Sequence, residues 1–209
     1  MALLPGSISA LGGYRREIRE CHHWAFLLTV PSLIGGLLGS MLVVWLPPQS
    51  FKVLVPWLIL LAALLFALQP RIARWTGIGQ EHAPASRGKT AAAVFFQLLV
   101  AIYGGYFGAG IGILMLSSLA FLGLSDIHRM NAVKSLLASL INGVSAIVFI
   151  ATGTVHWRYA LAMAVAAIVG GYAGAHTARR LDRKLVRSIV VVIGFGLASY
   201  YFYRQFANS

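Results

Sequence analysis

Apolar residues in this chain come in long blocks, not in the alternation of strands or the narrow stripes of soluble helices. Five blocks, at 24–45, 51–68, 130–151, 157–178 and 185–203, are long enough to cross about 30 Å of hydrocarbon at roughly 1.5 Å per helical residue. A sixth apolar stretch, 90–122, carries no charge over its 33 residues but is interrupted at 104–112 by GGYFGAGIG. The pattern predicts an all-α, polytopic membrane protein with five spans and one glycine-broken segment.

Each glycine inside a helix costs about 1 kcal/mol relative to alanine, and irregular backbone survives at membrane depth only where protein or a watery cavity surrounds it. The break therefore has two readings. Gly104, Gly105 and Gly108 could let helices approach closely, as small residues do in membranes. Alternatively, the chain opens here and a new half-helix begins, whose free N–H groups and dipole attract an anion. Five glycines in nine residues favour the second reading. Its donors are expected to be the amides of Ala109, Gly110, Ile111 and Gly112, beside Gly105 and Gly108.

The charge is +12, with 59% hydrophobic and 11% charged residues and a mean hydropathy of +0.80. Most basic residues lie beside the spans, so the charge sets topology and implies no nucleic-acid partner. If 90–122 crosses once, the loop Lys and Arg divide nine to seven between the two faces. If it dips in and returns, thirteen share one face, and only Lys52, Arg158 and Arg204 remain on the other. The positive-inside rule expects the second division. The segment is thus predicted to be re-entrant, with loops 14–23, 70–89, 123–129 and 179–187 cytoplasmic and a single crossing as the alternative. Legs of about 14 residues would reach roughly 20 Å and set the glycines near the midplane.

Sliding the sequence on itself by 135 residues lays Gly35, Gly36 and Gly39 on Gly170, Gly171 and Gly174, and Lys52 on Arg187. Neighbouring offsets pair Ser9-Ala10 with Ser145-Ala146 and Trp24 with Trp157. The ordered series predicts an inverted internal repeat of the kind secondary transporters use. Residues 1–89 would hold an incomplete first repeat and a cytoplasmic linker, and 90–209 a complete second repeat, within one membrane domain. On this scheme the first repeat would begin about 45 residues before Met1, and those residues would contain the twin of the glycine break, leaving 1–13 as the stump of a first-repeat helix. The N-terminus lacks the basic and apolar regions of a signal peptide. Gly35-x-x-x-Gly39 and Gly170-x-x-x-Gly174 read as packing faces.

Lys134 lies in HRMNAVKSLLASLING, two turns into a helix expected to start at the N-cap Ser125. Its ammonium could snorkel to the interface or stand beside the break and balance an anion. Asn131 and Ser135 can face the same cavity by helical spacing, while Asn142 could join them or bond a neighbouring helix. All five acids, Glu17, Glu20, Glu81, Asp126 and Asp182, fall in loops or at span ends. A lysine within a span and no carboxylate there point to an anionic substrate. Cys21, His22 and His23 are adjacent, and adjacent residues rarely converge on one ion, so no metal or other cofactor is expected. There is no nucleophile with a base, no carboxylate pair and no nucleotide loop, so no enzyme is expected either.

Taken in order, GGYFGAGIGILML, GLSDIHRMNAVKSLLASLINGVSAIVFI, GTVHW and GGYAGAHTARRLDRKLVR resemble the sulfite exporter TauE/SafE family of bacterial permeases. VPSLIGGLLGSMLVVWLPPQSFKVLVP is similar to that family's first half. The resemblance implies a duplicated, multi-pass permease of the bacterial inner membrane that moves sulfite, an organosulfonate or a related small anion. Ser117-Ser118 stand where many members carry a proline. The rival readings are a non-transporting truncated protein or assembly partner and, further off, a metal-ion permease. The expected partners are a small anion and the lipid bilayer; the sequence leaves the oligomeric state open.

Overall fold

The computed structural model describes residues 20–75, 87–178 and 183–207. The expected stump at 1–13, much of the 70–89 and 179–187 loops, and Glu17, Glu81 and Asp182 lie outside the described residues. Every described element is helical: α1 (His22–Trp45), α2 (Pro48–Trp75), α3 (Arg87–Tyr106), α4 (Ile111–Phe121), α5 (Ile127–Ala151), α6 (Trp157–Ala178) and α7 (Arg183–Ala207). Helices α1, α3 and α5, and α2 from Val53, are long and apolar enough to cross a membrane.

The helix ends follow local chemistry. Pro47 and Pro48 stop α1 at Trp45, and Pro48 opens α2, where a missing N–H costs nothing. The α5 cap is Asp126, not the expected Ser125. The Asp126 carboxylate accepts from the amides of His128 at 2.7 Å and Arg129 at 3.3 Å. Both residue types cap helices, and the backbone places Asp126 one residue before the first turn.

Helices α1 and α3 run parallel and meet through glycine. Gln97 bonds Ser32, and Gly35 faces Ala101. Further along both helices, a Cβ added at Gly39 would collide with the Ile102 carbonyl oxygen and stand 2.8 Å from the Tyr106 amide. Helix α5 shares this direction: Arg129 pairs with Glu20 at 2.9 Å near the start of α1, and Ile141 packs on Gly36. The starts of α3 and α5 thus lie at the same end of the bundle, with the break and α4 between them in sequence. Leu28, Met115, Met130, Leu137 and Ile141 fill the core they enclose.

Helices α2 and α7 form an antiparallel pair, with Trp57 edge-on to Phe202 at 4.9 Å and Gly194 against Ala63. Helix α6 is mostly exposed over residues 157–170. Among the described residues a Cβ at Gly170 would meet nothing within 4 Å, unlike one at its expected counterpart Gly35. Large apolar side chains such as Phe26, Ile147 and Val192 are 79%, 67% and 70% exposed, an outer surface suited to lipid and not to water.

Candidate functional site

The five glycines of the break divide among separate tasks. Gly104 and Gly105 remain inside α3, where Gly105 is buried against Gly36 and Gly104 faces Ile111 and Ile141. Helix α3 therefore runs for 20 residues and α4 for 11, in place of two legs of similar length. The legs are unequal because close backbone packing holds the first two glycines helical.

The chain turns only over Phe107–Gly110. The amides of Phe107 and Gly108 both donate to the Tyr103 carbonyl, at 2.8 and 3.2 Å. Gly108 and Gly110 have φ of +84° and +79°, a left-handed conformation that a side chain would strain. The Tyr103 hydroxyl donates to the Ala109 carbonyl at 2.7 Å, tying the turn to the end of α3. Tyr103 is a site residue the sequence reading missed, although an aromatic hydroxyl one residue before a glycine pair was a readable signal. The Ile111 side chain comes back against Gly104, 3.3 Å from a Cβ built there, so the chain doubles back.

Helix α4 begins at Gly110, which has no side chain to cap it. Ile113 donates to the Gly110 carbonyl at 3.1 Å, while the amides of Ile111 and Gly112 precede any helical acceptor. Gly110 lies against Leu65 and Ala62, near the middle of α2. An apolar cleft of about 270 Å³ adjoins the turn, lined by Phe107 and Ala109 with α2 and α7 side chains such as Phe66 and Ile193.

Lys134 reaches this start of α4: its Cδ lies 3.5 Å from the position of a Cβ on Gly112. Its Nζ donates to Asn131 Oδ1 at 2.8 Å. That partner is a neutral amide, which does not neutralise an ammonium. The structure thus brings Gly108, Ala109, Gly110, Ile111 and Gly112 together with Lys134 and Asn131. Ser135 is half-buried on the same helix, its carbonyl accepting from Ser139 Oγ at 2.7 Å. Asn142 is half-buried and about 16 Å along the helix from Asn131. Gly105 faces α1 and not the start of α4.

Cys21 is buried, and burial pushes its thiol up, while His22 and His23 are exposed. Among the described residues no three His, Cys, Asp or Glu side chains stand together as a metal site would need.

A helix start with no capping side chain, a lysine beside it and a surface of exposed apolar residues suit a membrane protein. The sequence pattern of the sulfite exporter TauE/SafE family matches residues 1–201. The chain belongs to that family. It is similar to a "Probable membrane transporter protein" of Haemophilus influenzae, 26% identical over 98% of this chain and 81% of the relative. A "Probable membrane transporter protein ORF9" of Sinorhizobium sp is 26% identical over 92% of this chain and 72% of that protein. "Probable membrane transporter protein YfcA" of Escherichia coli K12 is 25% identical over 78% and 58%. No solved structure matches significantly. This TauE/SafE member is a multi-pass membrane permease and not an enzyme, and the inner membrane suits a bacterial permease.

Proposed function

We propose that this TauE/SafE permease carries a small anion, sulfite or an organosulfonate, bound at the start of α4. The observation that carries the reading is Lys134 lying across Gly112. The lysine side chain meets the positive end of a helix dipole there, and an ammonium and a helix start each favour an anion. Asn131 orients the ammonium, and the Ile111 and Gly112 amides would donate to the anion's oxygens. The family name supports sulfite as the representative substrate.

The shared end of α3 and α5 supports a re-entrant segment over 90–122, entering and leaving from the cytoplasmic face that the basic loops define. In this reading the repeats, 1–89 and 90–209, are inverted, and transport rocks one against the other about the site. Sulfite flux into vesicles holding the purified protein tests the assignment. Lys134→Met and Gly110→Leu are expected to abolish flux while folded protein stays in the membrane, with Arg204→Gln as the unaffected control. Wild-type flux in both site variants would sink the assigned site.

A further inference from the structure

A groove of about 670 Å³ runs along the outside of the α1–α3 contact, far from the start of α4. One wall is a single stripe of α1, Leu27, Val30, Pro31 and Ile34; the other is a stripe of α3 that starts at Arg87 and Thr90 and continues through Val94 to Leu98. Both walls follow the i, i+3, i+4, i+7 spacing of one helix face. Because the two helices are parallel, the groove has one polar end, at Arg87, and is apolar beyond it. From Arg87 to Leu98 it extends about 16 Å along the helix axis.

The polar end has an electrostatic imbalance. Arg87 and Lys89 are exposed in the first turn of α3, and that turn contains no acidic residue. Two cations therefore sit at the positive end of a helix dipole, where like charge is unfavourable and an anion is favoured. An amphiphile with a negative head and an apolar tail fits both parts: the head compensates Arg87 and the helix start, and the tail fills the groove. Basic pockets between membrane helices on the cytoplasmic side recognise anionic lipid headgroups in this way.

We propose that the α1–α3 groove is a binding site for an anionic phospholipid, its phosphate at Arg87 and one acyl chain between Val30, Ile34, Val94 and Leu98. The site is separate from the transport site, and its lipid holds the parallel α1–α3 pair together from the membrane side.

Native mass spectrometry of the full chain in a nonionic detergent tests this, with phosphatidylglycerol and phosphatidylcholine of identical acyl chains added in turn. Phosphatidylglycerol is expected to remain as a discrete single adduct and phosphatidylcholine to strip away. Arg87→Gln should weaken retention about fivefold, the effect of one basic residue at an anionic surface. Ile34→Trp, which fills the groove without altering charge, should lower retention also, and Arg204→Gln should not. Equal retention of the two lipids, or wild-type retention by both Arg87→Gln and Ile34→Trp, would overturn the proposal in favour of unselective surrounding lipid. The absence of any adduct would overturn it in favour of a groove covered by the protein itself.

Discussion

The Tyr103 hydroxyl donates to the Ala109 carbonyl at 2.7 Å, across a turn that the Phe107 and Gly108 amides also tie to α3 through the Tyr103 carbonyl. One residue therefore holds the break through both its backbone and its side chain. Tyr103→Phe removes the side-chain tie and keeps the ring. The expected loss is about 1 kcal/mol, the worth of one hydrogen bond, read as a lower thermal midpoint in detergent. Amide exchange at 107–110 should quicken while that of α5 stays the same. Unchanged exchange at the turn would mean that the backbone alone fixes it.

The two glycine faces are expected to respond in opposite ways. A side chain at Gly39 collides with the Ile102 carbonyl, and one at Gly36 stands 3.2 Å from the Ile141 backbone. Neither obstacle is the end of a flexible side chain, so α1 must move away from α3 or α5. Gly39→Leu is expected to destabilise the protein by about 3 kcal/mol, the upper range of overpacking, and to lower the yield of monodisperse protein. Gly170 meets open space among the described residues. Gly170→Leu is expected to be neutral or to stabilise by up to about 1 kcal/mol through helix propensity. Equal losses in the two variants would show that α6 has a tight partner in the membrane.

The long apolar blocks made the helices legible, because spanning length and absence of charge are local properties of the chain. Helix α1 begins two residues before the expected block and ends at the same Trp45. The division of labour within GGYFGAGIG was not legible. Whether Gly105 stays helical depends on Gly36, nearly seventy residues earlier, and nothing next to Gly105 in sequence records that approach. The same holds for Gly170, whose spacing copies that of Gly35 although its surroundings do not. Lys134 could be placed on a helix from its neighbours, but its meeting with Gly112 follows from the reversal of the chain at Gly108 and Gly110. The Tyr103 hydroxyl was legible beside its glycine pair, but its partner was not, because it meets the Ala109 carbonyl only through the turn at 107–110.

The Asp126 cap gives a stability signal in acid. Hydrogen bonds from the His128 and Arg129 amides hold its carboxyl below the ordinary value of 3.8. A carboxyl whose pKa falls on folding contributes stability that is complete above its unfolded value and is lost as pH drops through the folded one. Asp126→Asn keeps a capping oxygen and removes the titration. The melting difference between wild type and Asp126→Asn should be constant from neutral pH down to about pH 4 and shrink below it. A difference that does not change across that range would assign the contribution of Asp126 to its shape and not to its charge.

The contact between α1 and α3 also contains a fully buried polar pair, in which Gln97 Nε2 donates to Ser32 Oγ at 2.9 Å. Gln97 Oε1 is buried without a partner among the described residues. The two ends of this pair are therefore unequal. Ser32→Ala leaves the whole Gln97 amide unsatisfied between apolar helices, with an expected cost of about 1–3 kcal/mol. Gln97→Leu removes the donor together with the unsatisfied oxygen, and Ser32 can turn its hydroxyl to a carbonyl of its own helix. The serine variant should thus be the less stable of the two. The double variant should recover part of the loss, with a coupling of about 0.6 kcal/mol, the average for polar pairs between membrane helices. Reversible unfolding in mixed detergent measures all three. A glutamine variant as damaged as the serine variant would mean that Gln97 Oε1 has a partner in the membrane, such as a bound water.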